Sequence, residues 1–182
     1  IAKPNDPDYQ PYRRDPETLV RQWAIPGTEG LRHRIGGLEK TDGLGLVSTD
    51  PMNHQKMVDY RQEKINRLAQ RIPLQEVTGS QDADTLVISW GGTRGAVQTA
   101  VKEVNAAGKK VAHAHFNYIM PLPSNTAEVL SKYKNILVCE LNSGQFVNYL
   151  RMTHPSFVYK QYNKIQGLPF TVQELVNAIN NI

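Results

Sequence analysis

Three groups of residues in this 182-residue chain have types and spacings suited to chemistry. The first is Gly91-Gly92-Thr93-Arg94-Gly95, which follows the apolar run Thr85 to Trp90 and opens a helical pattern. At such a turn the free backbone N–H groups, the Thr93 hydroxyl and the Arg94 guanidinium could hold a phosphate or a carboxylate. The run is neither a lysine-bearing P-loop nor a complete GxGxxG, and a tight βα turn requires glycine for its own geometry, which is the favoured reading. The second group is Glu140-Leu141-Asn142-Ser143-Gly144-Gln145, at the corresponding place after a later strand. Glu140, Asn142 and Gln145 could orient a ligand there, or cap the next helix and meet a neighbouring domain. The third is His113 and His115, which alternate along a strand and face one side, as two ligands of one metal would. No carboxylate or cysteine accompanies them at ligand spacing, and no metal is assigned. His33, His54 and His154 are isolated and read as surface or packing residues. There is no Ser-His-Asp signature, no CxxC and no stretch from Gly-Asp-Gly to Asn-Asn of the kind that binds magnesium and thiamine diphosphate, so a reactive centre is expected elsewhere.

These residues need a frame, and the hydrophobic pattern supplies an α/β one. Strands are predicted at Thr85 to Trp90, Val111 to Phe116, Ile136 to Glu140 and Phe157 to Tyr162, separated by segments long enough for crossover helices. Helices are predicted from Arg94 to Ala107, closed by Gly108, from a Ser124 cap through Tyr133, from Gly144 to Met152, and from Thr171 to Ile182 with Glu174 completing a capping box. The longest helix starts where Asp50 can cap a first turn opened by Pro51, and its spacing runs on to about Ile72. Alternating strands and helices place ligands at the carboxyl ends of a parallel sheet.

Residues 1–16 carry Pro4, Pro7, Pro11 and Pro16 among polar residues, as an interdomain linker does, and residues 17–182 are then one domain. Glycine-rich extended pieces are expected between Glu17 and Leu46. The chain starts without Met and reads as a piece of something longer. Its net charge of +4 comes from scattered lysines and arginines, so nucleic acid is not an expected partner. The single cysteine, Cys139, lies in an apolar run and reads as a structural thiol in a reducing compartment. No run reaches membrane-spanning length and no signal pattern opens the chain, which fits a cytoplasmic protein with no membrane partner.

Several stretches, in their order, resemble one known family: Gly37-Leu38-Glu39-Lys40-Thr41-Asp42-Gly43, the Asp50-Pro51 helix with Arg61 and Lys64, Trp90-Gly91-Gly92-Thr93, Pro121-Leu122-Pro123, and Glu140 to Gln145. Residues 9 to 180 resemble the carboxyl-terminal part of the α subunit of 2-oxoacid:ferredoxin oxidoreductases, most closely the 2-oxoglutarate type. The resemblance implies a transketolase carboxyl-terminal-like domain, a three-layer α/β/α sandwich whose sheet is mostly parallel with one antiparallel edge strand. It implies a parent enzyme in which thiamine diphosphate, magnesium and an iron–sulfur cluster support oxidative decarboxylation of a 2-oxoacid to acyl-CoA, with ferredoxin reduced. The cluster cysteines and the diphosphate motif are missing here. The implied role is therefore a non-catalytic, assembly-serving domain that binds no cofactor and is inactive alone. Its partners would be the other α-subunit domains and the thiamine-diphosphate-binding β subunit, with CoA and ferredoxin serving the parent. The alternative is a binding module in which Gly91 to Gly95 and Glu140 to Gln145 hold an anion such as CoA, a nucleotide phosphate or an allosteric acid.

Overall fold

Strands that are apolar on both faces must be covered on both sides, and three segments of this chain have that character. In the computed structural model, which describes residues 1–182, these are β2 (Thr85–Trp90), β3 (Val111–Phe116) and β4 (Asn135–Glu140), each almost wholly buried. The chain divides into two compact units, Ile1–Arg71 and Ile72–Ile182.

The second unit carries the sheet. Its elements run β1 (Thr78–Gly79), β2, a 3₁₀ turn at Gly91–Thr93, α2 (Arg94–Ala106), β3, α3 (Thr126–Ser131), β4, α4 (Gln145–Thr153), β5 (Tyr159–Asn163) and α5 (Val172–Asn180). The strand order is β1-β3-β2-β4-β5, with β3, β2, β4 and β5 parallel and β1 an antiparallel edge. Alternation along β2 sends Leu86 and Ile88 into one apolar cluster with α3 and α4, and Val87 into the other with α2 and α5. On α2 the second cluster receives Val97, Ala100, Val101 and Val104, the spacing of one helical face. The unit is thus the expected three-layer α/β/α sandwich.

Local signals placed most element ends. Thr171 Oγ1 accepts from Glu174 N–H at 3.2 Å while the Glu174 carboxylate accepts from Thr171 N–H at 2.8 Å, closing the capping box of α5. Gly108, at φ +94°, ends the turn after α2. Three expectations need correction. Ser124 does not cap α3: Asn125 stands at its start, and the Asn125 amide instead pairs with the backbone of Gln75, accepting at 2.7 Å and donating at 3.0 Å. The long helix ends at Leu68, because Pro73 disfavours helical geometry at Ile72 and the chain already turns through residues 69–72. Strand β5 begins at Tyr159 rather than Phe157, since residues 155–157 are still turning out of α4.

The first unit has one helix, α1 (Pro51–Leu68), capped by Asp50, whose carboxylate accepts from Met52 N–H at 2.9 Å. The rest is turns and irregular chain rather than extended strands, joined by isolated bridges such as Tyr12 to Gly43 and Lys40 to Val47. The proline-rich residues 1–16 lie inside this unit. Ala2 N–H donates to Trp23 O and Asn5 N–H to Glu29 O, while Arg67 reaches back to the carbonyls of Pro16 and Glu17. The Gly37 to Gly43 stretch is tied to α1 by polar contacts: Glu39 pairs with Arg61 and hydrogen-bonds His54, and Asp42 pairs with Lys56 at 3.0 Å. Few apolar side chains are covered here. Met57 is the only buried residue of α1, whereas Val58, Leu68, Trp23, Ile35 and Leu46 are exposed. No helix of either unit is long and apolar enough to cross a membrane.

Candidate functional site

The connection from β2 leads through α2 to β3 on one side, whereas the connection from β3 leads through α3 back past β2 to β4 on the other. The strand order therefore reverses between β2 and β4, and the carboxyl ends of those two strands are where α/β folds open a crevice. Both glycine-bearing turns singled out in the sequence lie there. They are joined directly, since Trp90 Nε1–H donates to Glu140 Oε2 at 3.2 Å.

The polar groups after β4 turn inward. Glu140 is fully buried, and its carboxylate also accepts from Phe146 N–H at 2.8 Å and Val147 N–H at 2.9 Å, the open amides in the first turn of α4. Helix α4 needs this remote cap because Gly144, its N-cap, has no side chain and sits at φ +95° with Val147 and the Asn163 amide close by. A carboxylate at a helix N-terminus is held by those amides and by the helix dipole. Asn142 Oδ1 accepts from Gly144 N–H at 2.7 Å and Gln145 N–H at 2.9 Å, forming an Asx turn. Gln145 is exposed. Next to Glu140, Cys139 is buried, and burial followed by the neighbouring Glu140 charge pushes its thiol up to about 12.

After β2 the arrangement differs. Thr93 is buried, its hydroxyl donating to Trp90 O at 2.8 Å and accepting from Trp90 N–H at 3.3 Å, so it closes the turn on itself. Gly91, at φ +59°, makes that turn possible. Gly92 and Gly95 are exposed with open space above them, and α2 has no side-chain cap. Arg94 is exposed and forms no salt bridge within the chain.

The sequence reading missed Ser89. Pairing of β2 with β3 sets Ser89 opposite His115, on the sheet face away from Trp90, and its Oγ lies 2.7 Å from His113 Nε2 and 2.8 Å from His115 Nδ1. The available signal was a lone hydroxyl in the apolar run Leu-Val-Ile-Ser-Trp. His113 is buried and held down to about 4 by burial, then by the charges of His115 and Arg94; burial and Arg94 lower His115 in the same direction. The two histidines and Arg94 line a cavity of about 310 Å³.

No family model matches the chain. Over 96% of its length it is 44% identical to the 2-oxoglutarate oxidoreductase subunit KorA of Mycobacterium tuberculosis, occupying 26% of that protein. It is 27% identical, over 94% of its length, to the α subunit of 2-oxoacid:ferredoxin oxidoreductase 1 of Aeropyrum pernix, again covering only 28% of it. Among solved structures, the 2-oxoglutarate:ferredoxin oxidoreductase of Magnetococcus marinus, with 2-oxoglutarate, coenzyme A and succinyl-CoA bound, superposes at a TM-score of 0.82 with 29% identity, over 98% of this chain and 32% of that one. The chain is homologous to part of the α subunit of 2-oxoacid:ferredoxin oxidoreductases. It spans about a quarter of the length of these curated relatives.

Against the cofactors expected of such an α subunit, the residues of this segment are a poor fit. Iron–sulfur clusters require thiolates, and the one cysteine is buried with a raised pKa. No group of three or more His, Cys, Asp or Glu is placed to hold a metal ion, and the carboxylate nearest the crevice, Glu140, is occupied by three N–H donors.

Proposed function

We propose that this segment is a non-catalytic domain of the α subunit of a 2-oxoglutarate:ferredoxin oxidoreductase and serves domain and subunit assembly. The observation that carries the proposal is a contrast between the two units. At the strand ends of the second, Glu140, Asn142 and Thr93 are used to close their own turns. In the first, large apolar side chains stand in solvent, with Ile35 75% and Trp23 64% exposed. Trp23 and Ile35 line one open groove with the exposed Val20 and Ile25, and contiguous apolar surface of this kind supports an interface.

On this reading thiamine diphosphate, magnesium, the cluster and the residues that touch the 2-oxoacid belong to other parts of the assembly, with the thiamine-diphosphate-binding β subunit as the immediate partner. The assembly converts 2-oxoglutarate and CoA to succinyl-CoA and carbon dioxide and passes two electrons to ferredoxin. A cytoplasmic, reducing location accords with one buried free thiol. The test is co-expression of the chain with the remaining α-subunit domains and the β subunit, followed by size-exclusion chromatography with light scattering. A stable complex that Ile35→Glu with Leu46→Glu dissolves, and that Arg94→Ala leaves intact, supports assembly. A chain that stays monomeric beside folded partners overturns it.

A further inference from the structure

The assembly reading makes no use of the Ser89, His113 and His115 cluster, and a role for it stands independently of that reading. A hydroxyl has one proton, so Ser89 can donate to only one of its two imidazole neighbours while the other donates to it. That arrangement leaves both rings neutral. Adding one proton to His115 keeps every bond: His115 Nδ1–H donates to Ser89 Oγ, Ser89 O–H donates to His113 Nε2, and His115 Nε2–H becomes a new donor. A second proton, on His113, leaves two rings donating to the same hydroxyl and its own proton without a histidine acceptor. The trio can therefore take up one proton, at the ring that is only half-buried.

That ring lines the 310 Å³ cavity together with Arg94, Gln98, Asn117 and Tyr118, while Pro73 and Leu74 supply an apolar wall. The volume lies at the small end of ligand pockets, which run from about 300 Å³ upward, and suits a short acid rather than a nucleotide. The titratable and charged groups facing it are Arg94 from α2, His113 and His115 from β3, Tyr118 from the loop beyond β3, and Glu76 from the segment ahead of β1. Glu76 is the single carboxylate among them, and it is exposed.

We propose that this cavity binds a compact oxyanion, the carboxylate of a small acid or a phosphate group, between Arg94 and a His115 that takes up one proton against the Ser89–His113 pair as the ligand enters. Arg94 supplies a fork of donors suited to either group. Its charge now disfavours the His115 cation, and a bound anion reverses that influence. For a given ionisation state of the ligand, affinity rises as pH falls, about tenfold per pH unit between the bound and free pKa values of His115, and the His115→Gln chain measures the ligand's own share of the proton count.

The experiment is calorimetry of the full chain with succinate and with inorganic phosphate, from about pH 5.5 to about pH 7.5, in two buffers of different ionisation enthalpy, so that protons are counted. Saturable binding with uptake of up to one proton is expected from at least one of the two. Succinate alone identifies a carboxylic acid site, and phosphate alone a phosphate site. Arg94 is exposed and can be replaced without touching the core; Arg94→Ala should weaken binding about 10- to 100-fold, and Arg94→Lys should restore part of it. His115→Gln should retain weakened binding but lower proton uptake to the ligand's own share, and Glu76→Gln should tighten binding. No saturable binding of either anion, or binding indifferent to Arg94→Ala, or wild-type proton uptake no greater than that of His115→Gln, overturns the proposal.

Discussion

Glu140 is the residue whose loss should be felt most. Its carboxylate is fully buried and accepts from three donors, Phe146 N–H, Val147 N–H and Trp90 Nε1–H, so it both caps α4 and ties β4 to the turn after β2. Glu140→Gln keeps the shape and one oxygen. Set toward Phe146 and Trp90, that oxygen preserves two bonds, and the new amide N–H₂ then confronts Val147 N–H. One bond to a charged acceptor is lost and one buried donor left unpaired, a cost of about 2 kcal/mol. Glu140→Ala removes all three acceptors and leaves a void, which should cost about 4–5 kcal/mol, among the larger effects of single substitutions. The assay is urea unfolding in a Trp23→Phe background, where Trp90 is the only remaining indole and reports from the contact itself. With an m-value of about 2 kcal/mol per molar urea, Glu140→Gln should lower the midpoint by about 1 M. Asp at this position is a further control, since its shorter side chain cannot span the same gap. If Glu140→Gln unfolds at the wild-type midpoint, or Glu140→Ala leaves the Trp90 emission unchanged, the reasoning about this carboxylate is wrong.

Other consequences are as direct. Lowering the pH should destabilise the second unit through His113, whose folded-state pKa of about 4 lies below the ordinary 6.5: the unfolded chain takes the proton first. That gap corresponds to about 3 kcal/mol lost as pH falls from the unfolded toward the folded value. Urea unfolding of His113→Asn at both ends of that range should show a shallower acid loss than wild type; equal losses would remove His113 as a cause. Gly79→Ala should destabilise the sheet edge by about 1–3 kcal/mol, because φ is +95° and an added Cβ would sit 2.6 Å from Val111 O; hydrogen exchange at Ser80 N–H, which donates to Val111 O, is the readout. Gly95→Ala should do the opposite, stabilising by about 0.5–1 kcal/mol, since this helical position has open space and ordinary φ. Cys139 should resist Ellman's reagent in the folded chain near neutral pH and react only on unfolding, because its thiol is buried and pushed up to about 12; rapid labelling of native protein would contradict that.

Features that depend on near neighbours could be read from the residues alone. Asp50 before Pro51, and Thr171 three residues ahead of Glu174, are local devices, and both caps form as their spacing dictates. Strands β2, β3 and β4 were legible because burial on both faces requires an unbroken apolar run. The two-residue β1 has no periodicity to detect; it pairs with β3 because Gly79 can lie against the Val111 carbonyl. The Ser124 cap failed for a related reason, since the partner that claims Asn125 is Gln75, far away in sequence. Helical spacing marks α1 but not how much of it is covered: Val58 and Leu68 follow that spacing, yet both are exposed.

The same distinction explains the strand-end residues. Gly91 to Gly95 and Glu140 to Gln145 were legible as turns at strand ends, because each follows an apolar run and precedes a helix. Their uses were not, because each depends on strand order and register. Placing β4 beside β2 turns Glu140 into the acceptor for Trp90 and for the first turn of α4, closing a carboxylate that by residue type alone was open to a ligand. Pairing β2 with β3 in the observed register puts Ser89 between two histidines on the other face, where a sequence scan for metal spacing sees only His-Ala-His. Two adjacent residues of β2, Ser89 and Trp90, thus face opposite layers and belong to different networks. Arg94, at the start of the next helix, has no carboxylate partner and faces the cavity beside the histidines. If the strand ends of this domain hold a small anion, the topology puts it on the Ser89 side of the sheet, since on the Trp90 side the carboxylate of Glu140 already occupies the helix N-terminus.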